Sequence, residues 1–194
     1  MSEHNDILVL ASGSPRRREL LGRFGKPFKV IPARGEEHAP AGLTPAETVM
    51  ALAEQKAREV AALCADTAVV LGADTVVELD GVLLGKPRSE EEAFAMLSSL
   101  SGRSHRVFTG LCVIRGDRVL TDCEETAVHF RAMTPEEIRA YIATGEPMDK
   151  AGAYGCQGVG ALFVEKLEGD FYNVMGLPLC RLGRLLRQMD VELL

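Results

Sequence analysis

The fold is indicated by an early segment, residues 7–24, which reads ILVLASGSPRRRELLGRF. The apolar run Ile7–Ala11 has the length and composition of a short buried strand. Ser14 followed by Pro15 is typical of a helix start, with serine as the N-cap and proline at the first helical position. Leucines then recur at helical spacing, so the pattern predicts a helix over Pro15–Phe24. A strand that leads directly into a helix is the first step of an α/β fold.

The remaining chain continues this alternation. Further helices are predicted over 45–64, 90–100, 135–144 and 177–189, the first three behind Ser or Thr capping boxes. Further strands are predicted over 28–32, 68–71, 76–79, 106–115, 118–131 and 160–167, with tight turns at Asp80-Gly81 and Gly116-Asp117. The order of elements favours one α/β domain over residues 1–194, built on a mixed sheet.

The charge balance limits the partners. The chain has a net charge of −6 and a pI near 5.3, which disfavours a general nucleic-acid binder or a protein of anionic membranes. Residues 1–40 differ, with seven Lys and Arg against five Asp and Glu. An anionic ligand would therefore be bound by a local basic cluster.

Cysteine usage and the absence of long apolar runs indicate the compartment. The five cysteines are widely spaced and form no CxxC pair, as expected of reduced thiols in the cytoplasm. The N-terminal residues lack a basic region, and no apolar run has the length of a signal peptide or a membrane span. We therefore expect a cytoplasmic protein without a membrane association.

The start of the first predicted helix has the features of an anion site. Helix-terminal amides carry a partial positive charge, and Ser12 and Ser14 add hydroxyl groups. The three cations Arg16–Arg18 stand on the first turn, where they oppose the helix dipole, and a bound phosphate would relieve that repulsion. In the alternative interpretation the arginines are solvated and pair with Glu19, Glu36 or Glu37.

A second candidate is Asp74, in the segment Gly72–Val77 (GADTVV). It follows an apolar run, at the edge where an α/β sheet usually presents its site, and a carboxylate there can bind a metal or accept a proton from water. The alternative is an ordinary turn aspartate. The doublet Glu36-Glu37 is by default solvated surface, but with Asp74 it could complete a carboxylate pair for Mg²⁺.

The lysines and the late loop are less specific. Lys56 and Lys86 are surface lysines by default, although Gly85 and Pro87 hold Lys86 in a defined turn. Residues 146–158, EPMDKAGAYGCQG, combine small residues with Asp, Lys, Tyr and Gln. Such a loop lets the backbone approach a flat ligand while an amide side chain binds its edge; a flexible loop is the alternative.

Four segments together resemble the Maf family of nucleoside triphosphate pyrophosphatases, from about Ile7 to Leu179. They are LASGSPRRRELL at 10–21, GADTVV at 72–77, LSGRSHRVFTG at 100–110, and MDKAGAYGCQG at 148–158 with the tail GLPL at 176–179. The resemblance implies an elongated, two-lobed, ITPase-like fold with a central mixed twisted sheet flanked by helices and a cleft, usually as a homodimer. It also implies hydrolysis of a nucleoside triphosphate to the monophosphate and pyrophosphate with Mg²⁺ or Mn²⁺.

The resemblance also assigns roles to individual positions. Asp74 would be the catalytic acid–base residue and a metal ligand, and Glu37 would assist with the metal. Arg17, Lys56 and Lys86 would hold the phosphates, and Ser14 would line the same pocket. The substrate-selecting positions would be Arg16, Thr75 and Gln157. The residues Arg34-Gly35 before the acidic doublet leave open whether Glu36 or Glu37 is the ligand.

The loop at 149–155 together with Gln157 resembles the branch that acts on dTTP and UTP. Two alternatives stay open at this point. One is a nucleotide-binding regulator of septum formation without turnover. The other is a pyrophosphatase for a modified nucleotide such as 7-methyl-GTP.

Overall fold

A computed structural model describes residues 7–194 and shows a seven-stranded mixed sheet. The strands are β1 (Leu8–Leu10), β2 (Phe28–Val30), β3 (Val69–Leu79), β4 (Val82–Leu84), β5 (Ser104–Arg115), β6 (Arg118–Phe130) and β7 (Val164–Glu168). Their order in the sheet is β2-β1-β3-β5-β6-β7, and β4 pairs with β3. The mixed α/β fold predicted from the sequence is confirmed.

The helices are α1 (Pro15–Gly22), α2 (Pro45–Ala61), α3 (Glu90–Leu100), α4 (Pro135–Ile142), α5 (Phe171–Met175) and α6 (Leu179–Gln188). Three 3-10 turns lie at Glu146–Asp149, Ala151–Ala153 and Val159–Phe163. Side-chain caps begin three of the helices as predicted, with Thr44, Ser89 and Thr134 each accepting an amide three residues on. In a full capping box, Glu92 would accept the amide of Ser89. Here it accepts the amide of Arg88 instead, at 2.8 Å.

Strand direction explains the mixed character of the sheet. β1 pairs in parallel with β2 and with β3, with Leu8 opposite both Phe28 and Val69. β4 returns antiparallel to β3 after the predicted turn Asp80-Gly81, where both residues have positive φ angles of 52° and 83°. β7 runs antiparallel to β6.

Two sequence predictions about the strands are wrong. Glycine and aspartate are rare in strands, so the segment around Gly72–Thr75 was expected to separate two short strands, yet β3 is continuous from Val69 to Leu79. Burial on both sides overrides local propensity there. The late strand begins at Val164, because residues 159–163 form a 3-10 turn. Helix α5 carries no clear apolar period and was not predicted.

Helix α2 packs directly on the backbone of the sheet. Its buried residues include Ala53, Ala57 and Val60, which share a core cluster with strand residues of β1, β3 and β5. A Cβ atom on Gly72 would lie 2.2 Å from the carbonyl oxygen of Ala53, and one on Gly110 would lie 2.3 Å from that of Val49. Two glycines therefore set how closely α2 approaches β3 and β5.

The chain divides into two compact units. Among the described residues, the first unit comprises residues 7–74, 109–124 and 176–194, and the second comprises residues 75–108 and 125–175. Strands β3, β5 and β6 contribute residues to both, and the single domain over 1–194 stays a prediction. Among the helices of residues 7–194, none combines the length and the apolar character that crossing a bilayer requires.

Candidate functional site

The loop between β1 and α1 is shaped by two serine hydroxyls. Ser14 is the N-cap of α1, and its Oγ accepts the amide of Arg17 at 3.4 Å. The Oγ of buried Ser12 accepts the amide of Ser14 at 3.2 Å. The predicted strand–loop–helix connection is confirmed, and one of its two serine hydroxyls holds the loop from inside.

Arg17 is fixed against the protein rather than extended into solvent. Its Nε donates to the carbonyl oxygen of Gly176 at 2.8 Å, and its Nη1 donates to Ser12 Oγ at 3.2 Å. Burial lowers the pKa of the Arg17 guanidinium, while the carboxylates of Asp74 and Glu37 act in the opposite direction. The guanidinium thus stands in the field of both acidic residues.

Lys56 joins the two acidic residues. Its Nζ lies 2.6 Å from Asp74 Oδ1 and 3.0 Å from Glu37 Oε1. The side chains of Lys56 and Asp74 are only 14% and 11% exposed, whereas that of Glu37 is 55% exposed. One ammonium group between two carboxylates is a strong arrangement because the Lys56–Asp74 pair is largely shielded from water.

The packing of α2 explains why these groups meet. Gly72 and Asp74 are two residues apart on β3, so they face the same side of the sheet. Ala53 and Ala57 of α2 lie against Gly72. Lys56 is next to Ala57 in the helix. Its side chain reaches Asp74 because Gly72, which has no side chain, lets α2 pack closely on β3.

Glu37 is brought to the same point by two side chains of α2. Glu59 accepts the amides of Arg34 and Gly35 at 2.7 Å and 3.0 Å, and these bonds hold the pKa of Glu59 below its ordinary value. Gln55 donates to the carbonyl oxygen of Glu36 at 2.6 Å.

The side chains of the acidic doublet then diverge. Glu36 pairs with the exposed ring of His38 at 3.1 Å, while Glu37 reaches Lys56. Of the two positions that the sequence left open, the structure brings Glu37 to Asp74.

The chemistry of this donor set fits a divalent cation. Within residues 7–194, no group of three or more His, Cys, Asp or Glu side chains is placed to hold a metal ion. Asp74 and Glu37 are nevertheless two carboxylates that converge on one cation, the ammonium of Lys56. Mg²⁺ is usually bound by one or two carboxylates together with substrate phosphates and water, which matches this pair.

Three of the nine predicted site residues belong to the second unit. Thr75 is partly exposed, and Lys86 and Gln157 are exposed. The turn that bears Lys86 is tied to the late loop, since Gly85 accepts the amide of Gly152 at 3.0 Å. The other six, Ser14, Arg16, Arg17, Glu37, Lys56 and Asp74, belong to the first unit.

Several contributing residues were missed by sequence reasoning. Gln55 and Glu59 stand on the same face of α2 as two ordinary polar residues four positions apart, and no sequence signal distinguishes them. Glu146 opens the late loop, where an acidic residue beside glycines looks like solvated surface. Each acts through backbone groups distant in sequence, so only the fold reveals it.

Comparison with known proteins places the chain in a family. A family model described as Maf-like protein matches residues 7–189. The chain belongs to the Maf-like protein family. The match covers the β1–α1 loop, β3 and the late loop, so the residues described above lie inside the segment that defines the family.

Three of the similar proteins share one functional name. A protein of Moorella thermoacetica named dTTP/UTP pyrophosphatase is 55% identical over 188 residues, 95% of this chain and 96% of that protein. Proteins of the same name from Thermococcus onnurineus and Bacillus cereus are 56% and 50% identical, over 89% and 95% of this chain and 92% and 96% of their own lengths. The solved structure of a HAM1 protein from Coxiella burnetii is 14% identical with a TM-score of 0.48, over 94% of this chain and 99% of that one.

Proposed function

We propose that this Maf-like protein hydrolyses dTTP and UTP to the nucleoside monophosphate and pyrophosphate. The observation that carries the proposal is the largely shielded contact of Lys56 with Asp74, joined by Glu37, beside a helix start that bears Arg16 and Arg17. The substrates are inferred from relatives that are 55% and 50% identical and are named dTTP/UTP pyrophosphatase. The site places carboxylates, which can orient a water, next to cations, which can stabilise the charge on the phosphates, and phosphoryl transfer uses both.

The triphosphate is bound by cationic side chains at the start of a helix. The start of α1 contributes the positive end of the helix dipole, and Arg17 is held beside it by Gly176 and Ser12. Lys56 supplies a further charge, and the family resemblance adds Ser14 and Lys86. Because the Arg17 fork is already fixed, little conformational entropy is lost when it binds phosphate oxygens.

Asp74 acts on the attacking water. Its carboxylate orients the water and takes a proton, the water oxygen bonds to the α-phosphorus, and the bond from that phosphorus to the bridging oxygen breaks. Pyrophosphate leaves with the bridging oxygen. Lys56 holds the Asp74 carboxylate in one orientation through a direct hydrogen bond, so the second carboxylate oxygen is free to face the water.

Asp74 and Glu37 are the residues that would hold a divalent cation. Mg²⁺ or Mn²⁺ bound there would offset the negative charge that develops on the phosphates. Lys56 would then balance the two carboxylates whenever the cation is absent, which prevents their mutual repulsion.

The remaining assignments follow from the family resemblance. Arg16, Thr75 and Gln157 would select the base and sugar. A cytoplasmic location is supported by five free cysteines, Cys64, Cys112, Cys123, Cys156 and Cys180. A homodimer is expected from the resemblance alone.

The test is a panel of nucleoside triphosphates with Mg²⁺ or Mn²⁺, read by detection of both the monophosphate and pyrophosphate. We expect dTTP and UTP to be hydrolysed most efficiently. If 7-methyl-GTP is hydrolysed in preference to both, the proposed substrates are wrong and the enzyme acts on a modified nucleotide. If nucleotides bind without turnover, the protein is the non-catalytic regulator given as the alternative above. Release of orthophosphate instead of pyrophosphate would contradict the proposed bond cleavage.

A further inference from the structure

The carboxylate of Glu146 lies at the centre of the late loop. It begins the 3-10 turn Glu146–Asp149, which three residues separate from the end of α4. Its Oε1 accepts the hydroxyl of Tyr141 at 2.7 Å and the amide of Gly160 at 3.1 Å, and its Oε2 accepts the amide of Val159 at 2.9 Å. Three donors from two parts of the chain thus meet on one side chain.

The loop is wrapped closely around this carboxylate. A Cβ atom on Gly158 would lie 2.3 Å from Glu146 Oε2, and one on Gly160 would lie 2.6 Å from the hydroxyl of Tyr141. The same hydroxyl accepts the amide of Gly155 at 3.1 Å. Glycines therefore stand where the backbone must pass the Glu146–Tyr141 pair without a side chain.

The charge of Glu146 is maintained by these contacts. Burial alone would raise its pKa, but the Tyr141 hydroxyl, the two amides and Lys150 together hold the pKa of Glu146 below its ordinary value. Lys150 also donates to the carbonyl oxygen of Glu146 at 2.6 Å, which ties the first part of the loop to the same residue. The carboxylate is therefore ionised at neutral pH.

Gln157 is the residue that this network surrounds. The residues two positions before and after it are held, Gly155 by Tyr141 and Val159 by Glu146. Its own side chain is exposed, and the Cys156 thiol lies 3.7 Å from its Oε1. We propose that Glu146 is a positioning residue for Gln157, and that it fixes the amide that recognises the base. The inference rests on the proposed function, in which Gln157 helps to select dTTP and UTP.

The chemistry of the base explains why position matters. Thymine and uracil present a carbonyl at C4 beside an N3–H donor, whereas cytosine presents an amino group beside an acceptor. An amide held in one orientation can match one pattern and leaves unsatisfied groups with the other, so it discriminates. An amide on a loose loop can adapt to both, which lowers selectivity.

The test compares Glu146→Gln with the matched control Glu165→Gln, an exposed glutamate on β7. The values of kcat and KM are measured for dTTP, UTP and dCTP with pyrophosphate detection. In Glu146→Gln we expect the preference for dTTP over dCTP, as a ratio of kcat/KM values, to fall by about tenfold, mainly through a higher KM for dTTP. The control should keep the wild-type ratio.

Two further variants separate positioning from a general loss of structure. Tyr141→Phe removes one of the three donors to the Glu146 carboxylate and the acceptor of the Gly155 amide, but it keeps the two backbone bonds of Glu146. It should therefore reduce the same ratio less than Glu146→Gln does, and it also provides the readout if the glutamine variant does not fold. Gln157→Ala should reduce the ratio by itself, and adding Glu146→Gln to it should change the ratio no further, because both act through one amide.

The outcomes distinguish the two proposals. Equal losses for all three nucleotides in Glu146→Gln, or additive effects with Gln157→Ala, would overturn the positioning role while the pyrophosphatase stands. A wild-type protein that hydrolyses none of the nucleotides would overturn the proposed function and the inference with it.

Discussion

The charged centre of the first unit and the late loop of the second unit are built in opposite ways. In the first unit, Lys56 makes ion pairs with Asp74 and Glu37, two side chains from different segments. In the second unit, a single carboxylate, that of Glu146, is satisfied by a hydroxyl and by backbone amides. The first arrangement concentrates reactive charge, and the second gives a loop its shape.

The difference follows from what each region has to do. Charged side chains that satisfy one another can exchange those partners for a phosphate, a cation or a proton. Backbone amides bonded to one partly buried carboxylate have no such alternative and hold the backbone in one conformation. Changes in the first region should therefore alter turnover, and changes in the second should alter stability and selectivity.

The largest effect is expected at Asp74. Asp74→Asn removes the proton acceptor but keeps the shape, and Lys56 still pairs with Glu37, so the fold should persist. We expect kcat for dTTP to fall about a thousandfold, with a melting temperature close to that of the wild type. Asp66→Asn, an exposed control in the same unit, should leave kcat unchanged. Substantial activity in Asp74→Asn would remove the residue from its role.

Gly72→Ala tests whether helix approach, rather than charge, assembles the centre. The new Cβ would lie 2.2 Å from the carbonyl oxygen of Ala53, so α2 must move away from β3. We expect a loss of about 3 kcal/mol or more in the free energy of unfolding, measured with urea, together with reduced turnover. Gly183→Ala on α6 is the control, since an added Cβ there meets no atom within 4 Å. Equal stability of the two variants would contradict the packing argument.

The stability of the protein should depend on pH through a buried, neutral histidine of the second unit, His105. His105 is buried, its Nε2 lies 2.8 Å from the hydroxyl of Tyr154, and burial lowers its pKa to about 4, with His129 adding to the shift. The unfolded chain therefore binds this proton more readily between pH 6.5 and 4, and stability is lost as the pH falls through that range.

The expected loss at His105 is about 3 kcal/mol in the free energy of unfolding between pH 6.5 and pH 4. Urea unfolding across this range would measure it, with His105→Gln as the comparison. The variant should lack this part of the pH dependence, whatever its stability at neutral pH. A variant with the wild-type slope would show that another group titrates.

The smallest effect is expected at the adjacent residues Glu36 and Glu37, where the same substitution should give different results. Glu37→Gln removes one of the two carboxylates that contact Lys56. We expect kcat/KM for dTTP to fall by about 10- to 100-fold, and a higher metal concentration to be needed for half-maximal activity. Glu36→Gln makes the same change in charge one residue away, beside the exposed ring of His38, and should have little effect. The reverse result would exchange the roles of the two residues.

Much of the fold could be predicted because the signals are local. Ser14-Pro15 and Thr44-Pro45 mark helix starts through groups that contact their own neighbours, and the structure confirms both caps. The turn Asp80-Gly81 is confirmed for the same reason. The continuous strand through Gly72–Thr75 was missed, because its burial depends on α2 and β1, which lie elsewhere in the sequence.

The sequence by itself determined the kinds of group available: a basic helix start, an isolated aspartate, an acidic doublet and a glycine-rich loop. Tertiary structure alone decided which of them meet. Gly72 brings Lys56 to Asp74, Glu59 and Gln55 turn Glu37 rather than Glu36 toward it, and Glu146 closes the loop around Gln157. The physical reason is that these contacts join residues distant in the chain, and their energies depend on burial and distance, which local patterns do not encode.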